Sequence, residues 1–210
     1  VASARGSLER LQRSYLDGVR RVAANSIGSL ARTRVSPNAL TAAGVLLCAA
    51  AAVIVYFEYR HEITAFWLGA ALFIVGSILD GFDGALARRS GKATPFGAFV
   101  DSTTDRMSEA FMLGAIALVF AREENEVALA FTFAAVAGSF LVSYTRARAE
   151  ALGLKGDVGI GSRAERVFVI SAGLILAPWG ALQWAIYLLT LTAWVTVVQR
   201  VLAVRTQLHR

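Results

Sequence analysis

Asp80-Gly81-Phe82-Asp83-Gly84-Ala85-Leu86-Ala87-Arg88, then eight residues, then Gly97, Asp101 and Asp105: this stretch sets four carboxylates at fixed spacing between two long apolar runs. On a helix, positions three or four apart share a face, so Asp80 and Asp83 project together, as do Asp101 and Asp105. A hairpin of two such helices brings all of them to one end. Carboxylates crowded in this way repel, and they cannot all stay ionised unless cations sit among them. Oxygen ligands without His or Cys point to a hard cation, Mg²⁺ or Mn²⁺, and this many suffice for a site of two ions. The bland alternative is a set of solvated aspartates at helix ends. Carboxylates beside membrane-length runs are costly, however, and are functional by default.

Working outward, the chain of 210 residues is 56% hydrophobic, with a mean hydropathy of +0.56. That is too apolar for a soluble domain of this size, so length is counted here in membrane spans. Six apolar runs, at about 39–57, 63–82, 98–121, 126–145, 165–181 and 183–203, approach the length of a spanning helix. The three prolines, Pro37, Pro95 and Pro178, fall at ends or loops of these runs, so each span is expected to be continuous. Gly69, Gly76, Gly114 and Gly138 permit close helix packing where no hydrophobic force separates helix from lipid. The expectation is an all-α membrane bundle of six transmembrane helices over residues 36–210, without internal repeats. Cys48, the only cysteine, excludes an intrachain disulfide and reads as a small core hydrophobe.

Residues 1–35 are expected to form an amphipathic helix on the membrane surface. Leu8, Leu11, Tyr15, Val19, Val22 and Leu30 recur at helical spacing among Arg5, Arg13, Arg20 and Arg21. No long apolar stretch lies there, so no signal-peptide core is expected in this segment. Ser36-Pro37-Asn38 then caps the helix that follows.

The formal charge of +6 could suggest nucleic acid, but its distribution does not. The N-terminal arginines fall on one side of the six-span topology. So do Arg88, Arg89, Lys92, Arg106, Arg146, Arg148, Lys155, Arg163, Arg166, Arg200 and Arg205. The other side holds Arg60 and Arg122 beside Glu58, Glu62, Glu123, Glu124 and Glu126. By the positive-inside rule the basic side is cytoplasmic, with both termini and the aspartates there, in a cell membrane.

The whole pattern Asp-x-x-Asp-Gly-x-x-Ala-Arg, eight residues, Gly-x-x-x-Asp-x-x-x-Asp, is present without a gap. It resembles the signature of the CDP-alcohol phosphotransferases, integral membrane enzymes of phospholipid synthesis. The resemblance implies that Asp80, Asp83 and Asp101 ligate two Mg²⁺ or Mn²⁺ ions. Asp105 would ligate too, and would accept the proton of the attacking hydroxyl. It implies that Gly84 and Ala87 leave room for a cytidine and its phosphates, that Arg88 bonds a phosphate, and that Thr94 faces the nucleotide. Gly97 would permit close helix approach, and Asn38 and Thr41 would touch the donor, CDP-diacylglycerol. Relatives are generally homodimers.

The second half carries Ser143-Tyr144-Thr145-Arg146-Ala147-Arg148 and Asp157-Val158-Gly159-Ile160-Gly161-Ser162-Arg163-Ala164-Glu165-Arg166. These stretches resemble the branch of the family that makes phosphatidylinositol phosphate, or its archaetidyl counterpart. That resemblance implies inositol phosphate as acceptor, held by Ser143, Arg146, Arg166 and Arg205, with Arg163 and Arg200 as weaker candidates. Gly161-Ser162 stands where relatives carry Ala-Glu, a change expected to loosen the loop. The same chemistry on glycerol 3-phosphate or another alcohol stays open. So does a different class, an aspartate-rich membrane prenyltransferase or a transporter, although the Gly84/Ala87/Arg88 triplet has no role there.

Overall fold

Ser36 starts the first helix as the sequence requires: its hydroxyl accepts the Ala39 N–H at 3.2 Å, and Pro37 follows at the first helical position. The structure, a computed structural model, describes residues 36–91 and 93–209. The expected amphipathic helix over 1–35 lies outside them. Six α-helices follow in chain order, with no strand among the described residues: α1 (Pro37–Tyr56), α2 (Glu62–Arg89), α3 (Pro95–Arg122), α4 (Glu126–Ala151), α5 (Arg163–Ile175) and α6 (Leu182–Leu208). Side chains cap three more starts. Thr94 accepts from Gly97 N–H at 3.0 Å, and Asn125 accepts from Ala128 N–H at 3.1 Å. Ser162 and Glu165 form a reciprocal capping box at the start of α5.

α1 packs along α2 and crosses α3, α4 packs on α6, and α5 bridges α6 and α2. The α1–α2 contact is close because two glycines face one another. A Cβ on Gly44 would lie 2.8 Å from the Gly76 carbonyl oxygen, and one on Gly76 would lie 2.7 Å from that of Gly44. Backbone approach of this kind is how helices associate within lipid. It also sets the height of Asp80, one turn beyond Gly76, whose Cβ is 3.0 Å from the same Gly44 position. Phe73, Met112, Ile116, Ile170, Ile186 and Leu189 fill the interior. Outward, Leu46, Val53, Phe133, Phe168 and Trp184 stand exposed, so large apolar side chains face outward as well as inward. That is the surface of a membrane protein, in which lipid is the solvent.

Among the described residues, four helices, α1, α2, α4 and α6, are long and apolar enough to cross a membrane. The other two expected spans differ for stated reasons. α3 has the length but carries Asp101, Asp105 and Arg106 in its first half and Glu109 at its middle. The run 165–181, expected to be continuous, is broken: α5 has 13 residues and a 3₁₀ turn, Ala177–Trp179, follows it. At about 1.5 Å per residue, α5 reaches about 20 Å, short of a bilayer's hydrocarbon thickness. Pro178 sits inside that 3₁₀ turn, and Gly180 ends it with φ of 73°.

Candidate active site

α2 delivers Asp80 and Asp83 near its C-terminal end, and α3 delivers Asp101 and Asp105 in its second and third turns. Ligating oxygens of Asp80, Asp101 and Asp105 all lie within 4.8 Å of one another, and Asp80 is wholly buried. Asp83, 3% exposed, is held from α1 and from its own helix. It accepts from the Thr41 hydroxyl and from the Gly84 N–H. Hard carboxylate oxygens converging at this distance fit a divalent cation. Among the described residues, Arg163 supplies a cationic group there. The Arg163 guanidinium is ion-paired with Asp80, and with Asp105 at 2.5 Å.

Two cavities open from this cluster and share Ala98 and Asp101. The smaller, about 100 Å³, is lined by Asn38, Thr41, Gly84, Ala87, Arg88, Thr94 and Gly97, together with Asp83. Every residue assigned to the donor by resemblance therefore faces a single space. A Cβ on Gly84 would stand in ordinary contact with Arg88 Nη1 at 3.4 Å and Asp101 Oδ2 at 3.8 Å, so the position borders the passage between them. The Thr94 hydroxyl already serves as the α3 cap, which fixes its position at the cavity rim.

The larger cavity, about 690 Å³, lies between α3, α4, α5 and α6. Asp101 and Asp105 line it opposite Ser143, Arg146, Arg163, Arg166 and Arg200. Arg205 does not line it and is exposed. Arg200, on the same helix, occupies the cavity wall and is buried. Its guanidinium donates to the Val158 carbonyl at 2.8 Å and to the Val142 carbonyl, which ties α6 to the 152–162 loop and to α4. Arg146 pairs with Glu150 at 2.8 Å, but both are more than half exposed, so the pair leaves the arginine free to bind an anion.

Arg166 sits in the cavity wall with its donors engaged. It bonds both oxygens of Glu109, at 2.8 and 2.9 Å, and the Gly161 carbonyl at 2.8 Å, with both side chains nearly buried. Glu109 has no place in the aspartate pattern. A glutamate inside the third apolar run was the available signal, because an unpaired charge there would be untenable. The expected loosening of the loop at Gly161-Ser162 is not what the structure shows. Gly161 packs on α6, where a Cβ would lie 2.8 Å from Thr196 Oγ1, and Ser162 caps α5. A glycine there removes a clash and tightens the loop.

The fold and site define a membrane-embedded helical bundle with a carboxylate cluster between a narrow pocket and a basic one. Residues 34–205 match the CDP-alcohol phosphatidyltransferase family, and the chain belongs to it. It is an enzyme of that type. It is 37% identical over 183 residues to the archaetidylinositol phosphate synthase of Pyrococcus horikoshii, covering 86% of this chain and 89% of that one. It also superposes on Mycobacterium tuberculosis phosphatidylinositol phosphate synthase solved with CDP-DAG bound. The TM-score is 0.77 at 28% identity, over 89% of this chain and 94% of that one. The same protein solved with manganese and citrate gives a TM-score of 0.77 at 28% identity, over 88% and 89%.

Proposed function

We propose that the chain transfers the phosphatidyl group of CDP-diacylglycerol to a hydroxyl of inositol phosphate, giving phosphatidylinositol phosphate and CMP. The observation that carries this reading is the pair of cavities meeting at Asp101, one narrow and small-walled, the other rich in arginine. The similarity to synthases of inositol-phosphate lipids supports the acceptor.

Asp80, Asp83, Asp101 and Asp105 would hold two divalent cations, Mg²⁺ or Mn²⁺. The converging oxygens of Asp80, Asp101 and Asp105 and the manganese in a structural relative support a divalent cation here, and Asp83 joins the set by its place in the motif. Such cations supply neutralisation of the charge that develops on the leaving CMP. The small pocket orients the nucleotide end of the donor: Gly84 and Ala87 give it room, Arg88 bonds a phosphate, and Asn38, Thr41, Thr94 and Gly97 form its walls. Thr41 also holds the Asp83 carboxylate in place. In the larger cavity Ser143 and Arg146 grip the acceptor phosphate, and charge-assisted bonds of guanidinium to phosphate supply the affinity. Arg166 acts there through the wall it builds with Glu109 and Gly161. Arg205, outside the cavity, adds charge along the approach. The acceptor hydroxyl oxygen attacks the lipid-bearing phosphorus, its proton passes to Asp105, and the bond from phosphorus to the CMP oxygen breaks.

All six helices would lie in a cell membrane, with α3 and the short α5 packed among the four that are long and apolar enough to cross it, and with the site and both termini cytoplasmic. The bundle would work as a homodimer. The test is CMP release by the detergent-purified chain with CDP-diacylglycerol and Mg²⁺. Acceptors are inositol 1-phosphate, inositol, glycerol 3-phosphate and serine in turn. CMP with inositol 1-phosphate alone is expected. CMP with glycerol 3-phosphate instead would overturn the acceptor and keep the chemistry.

A further inference from the structure

The arginine among the aspartates has a chemistry of its own. Arg163 is the first residue of α5, and the capping box of Ser162 and Glu165 fixes its backbone. Its side chain, 26% exposed, reaches from the rim of the 690 Å³ cavity to Asp80 and Asp105. Those two carboxylates are members of the converging set that fits a divalent cation. One guanidinium and one divalent ion cannot use the same oxygens together. Asp80 is wholly buried, so its charge needs a partner whichever cation supplies it.

We propose that Arg163 is an exchangeable internal counter-ion. It pairs Asp80 with Asp105 until a divalent cation takes their oxygens, and its guanidinium then turns into the larger cavity, where it pairs with the phosphate of the acceptor. The inference rests on the proposed phosphate-bearing acceptor and deepens it. Arg163 already lines that cavity beside Arg146 and Arg200, so the movement is a change of side-chain rotamer. An anion in the cavity offers the freed guanidinium a new partner. Cation and anion therefore bind with positive coupling, and the coupling is reciprocal by linkage. Arg163 thereby makes one ligand sense the other.

The test is Mn²⁺ affinity of the full chain in detergent, read by the EPR signal of free Mn²⁺, with and without inositol 1-phosphate. In the wild type, inositol 1-phosphate should tighten Mn²⁺ binding about fivefold or more, the usual range of such coupling. Arg163→Gln should bind Mn²⁺ about fivefold tighter without the anion and show no further tightening with it. Arg163→Lys separates exchange from simple repulsion between cations. It keeps the charge, but a single ammonium cannot bridge both carboxylates as a guanidinium does, so exchange requires it also to bind Mn²⁺ more tightly than wild type. Wild-type affinity in Arg163→Lys, or weaker affinity in either variant, overturns the proposal. Should Arg163→Gln not yield folded protein by size exclusion, the lysine variant alone decides. The CMP assay keeps the two readings apart: normal CMP release with no change in Mn²⁺ affinity rejects only the exchange. Exchange without CMP release from any acceptor rejects only the function.

Discussion

The two ends of the bundle both set acidic side chains against arginine, and they balance the account differently. At one end, Arg122 pairs with Glu58 through bonds of 2.5 and 2.6 Å. It also donates to the Tyr56 carbonyl at 3.0 Å and lies over the rings of Tyr56 and Tyr59. Nearby, the Asn125 amide donates to Gln183 at 3.0 Å, so the turns between helices are tied to one another. At the other end Asp80, Asp83, Asp101 and Asp105 crowd together, and Arg163 is the arginine that reaches them. The matched Glu58–Arg122 pair closes a structure. Surplus carboxylate at the head of a basic cavity leaves electrostatic free energy available to a bound cation.

Mutations at the two ends should therefore separate activity from stability. The largest effect is expected at the surplus end: Asp105→Asn should lower CMP release by about a hundredfold or more, the scale of a lost general base, while CDP-diacylglycerol still binds. Near-normal turnover would remove Asp105 from the proton transfer. Next comes Glu109→Gln, which strips the buried Arg166 of its charged partner. Breaking such a pair costs about 3–5 kcal/mol, so a large fall in Tm is expected. A rise in the acceptor KM, with the donor KM little changed, should accompany it as Gly161 loses its anchor. Equal changes in both KM values would place Arg166 outside acceptor recognition.

A smaller and more selective effect is expected in the narrow pocket. Ala87→Leu would fill much of its volume of about 100 Å³ and should raise the donor KM, while Mn²⁺ affinity stays as in the wild type. At the matched end, Glu58→Gln should leave kinetics untouched and lower Tm by an amount reflecting about 1.5–3 kcal/mol, the worth of charge-assisted bonds. Any loss of turnover there would break the contrast between the ends. Glu123 gives the smallest effect. Burial, then Glu58 and Glu62, push its carboxyl up from its ordinary value of 4.5. The fold favours the protonated form, so that contribution is present below pH 4.5 and is lost as pH rises through the raised value. Glu123→Gln should give a slight rise in Tm at neutral pH and none in acid.

Much of this architecture is written in local spacing. The Asp80–Asp105 pattern fixed which faces of two helices carry carboxylates, because a helix repeats every three to four residues whatever surrounds it. The caps at Ser36, Thr94 and Asn125 are equally local, since each is satisfied within three residues. The break after Ile175 was harder to see. Pro178 marked it, but an apolar run reads the same whether it is one helix or a helix and a turn.

What followed from the residues by themselves is a membrane-length helical chain with carboxylates on shared helix faces, because the aspartate spacing is a property of single helices and the apolar runs are a property of composition. The family followed from the resemblance of that motif to a known signature. What only the tertiary structure decided is which distant charges meet. Arg166 is spoken for by Glu109, 57 positions away, and Arg163 reaches Asp80 across 83. Arg200 stands in the cavity wall while Arg205 lies outside it. Sequence shows that a charge near a membrane span must find a partner, because leaving it unpaired is too costly. Which partner it finds depends on how helices far apart in the chain pack, and that was set by contacts such as Gly44 against Gly76.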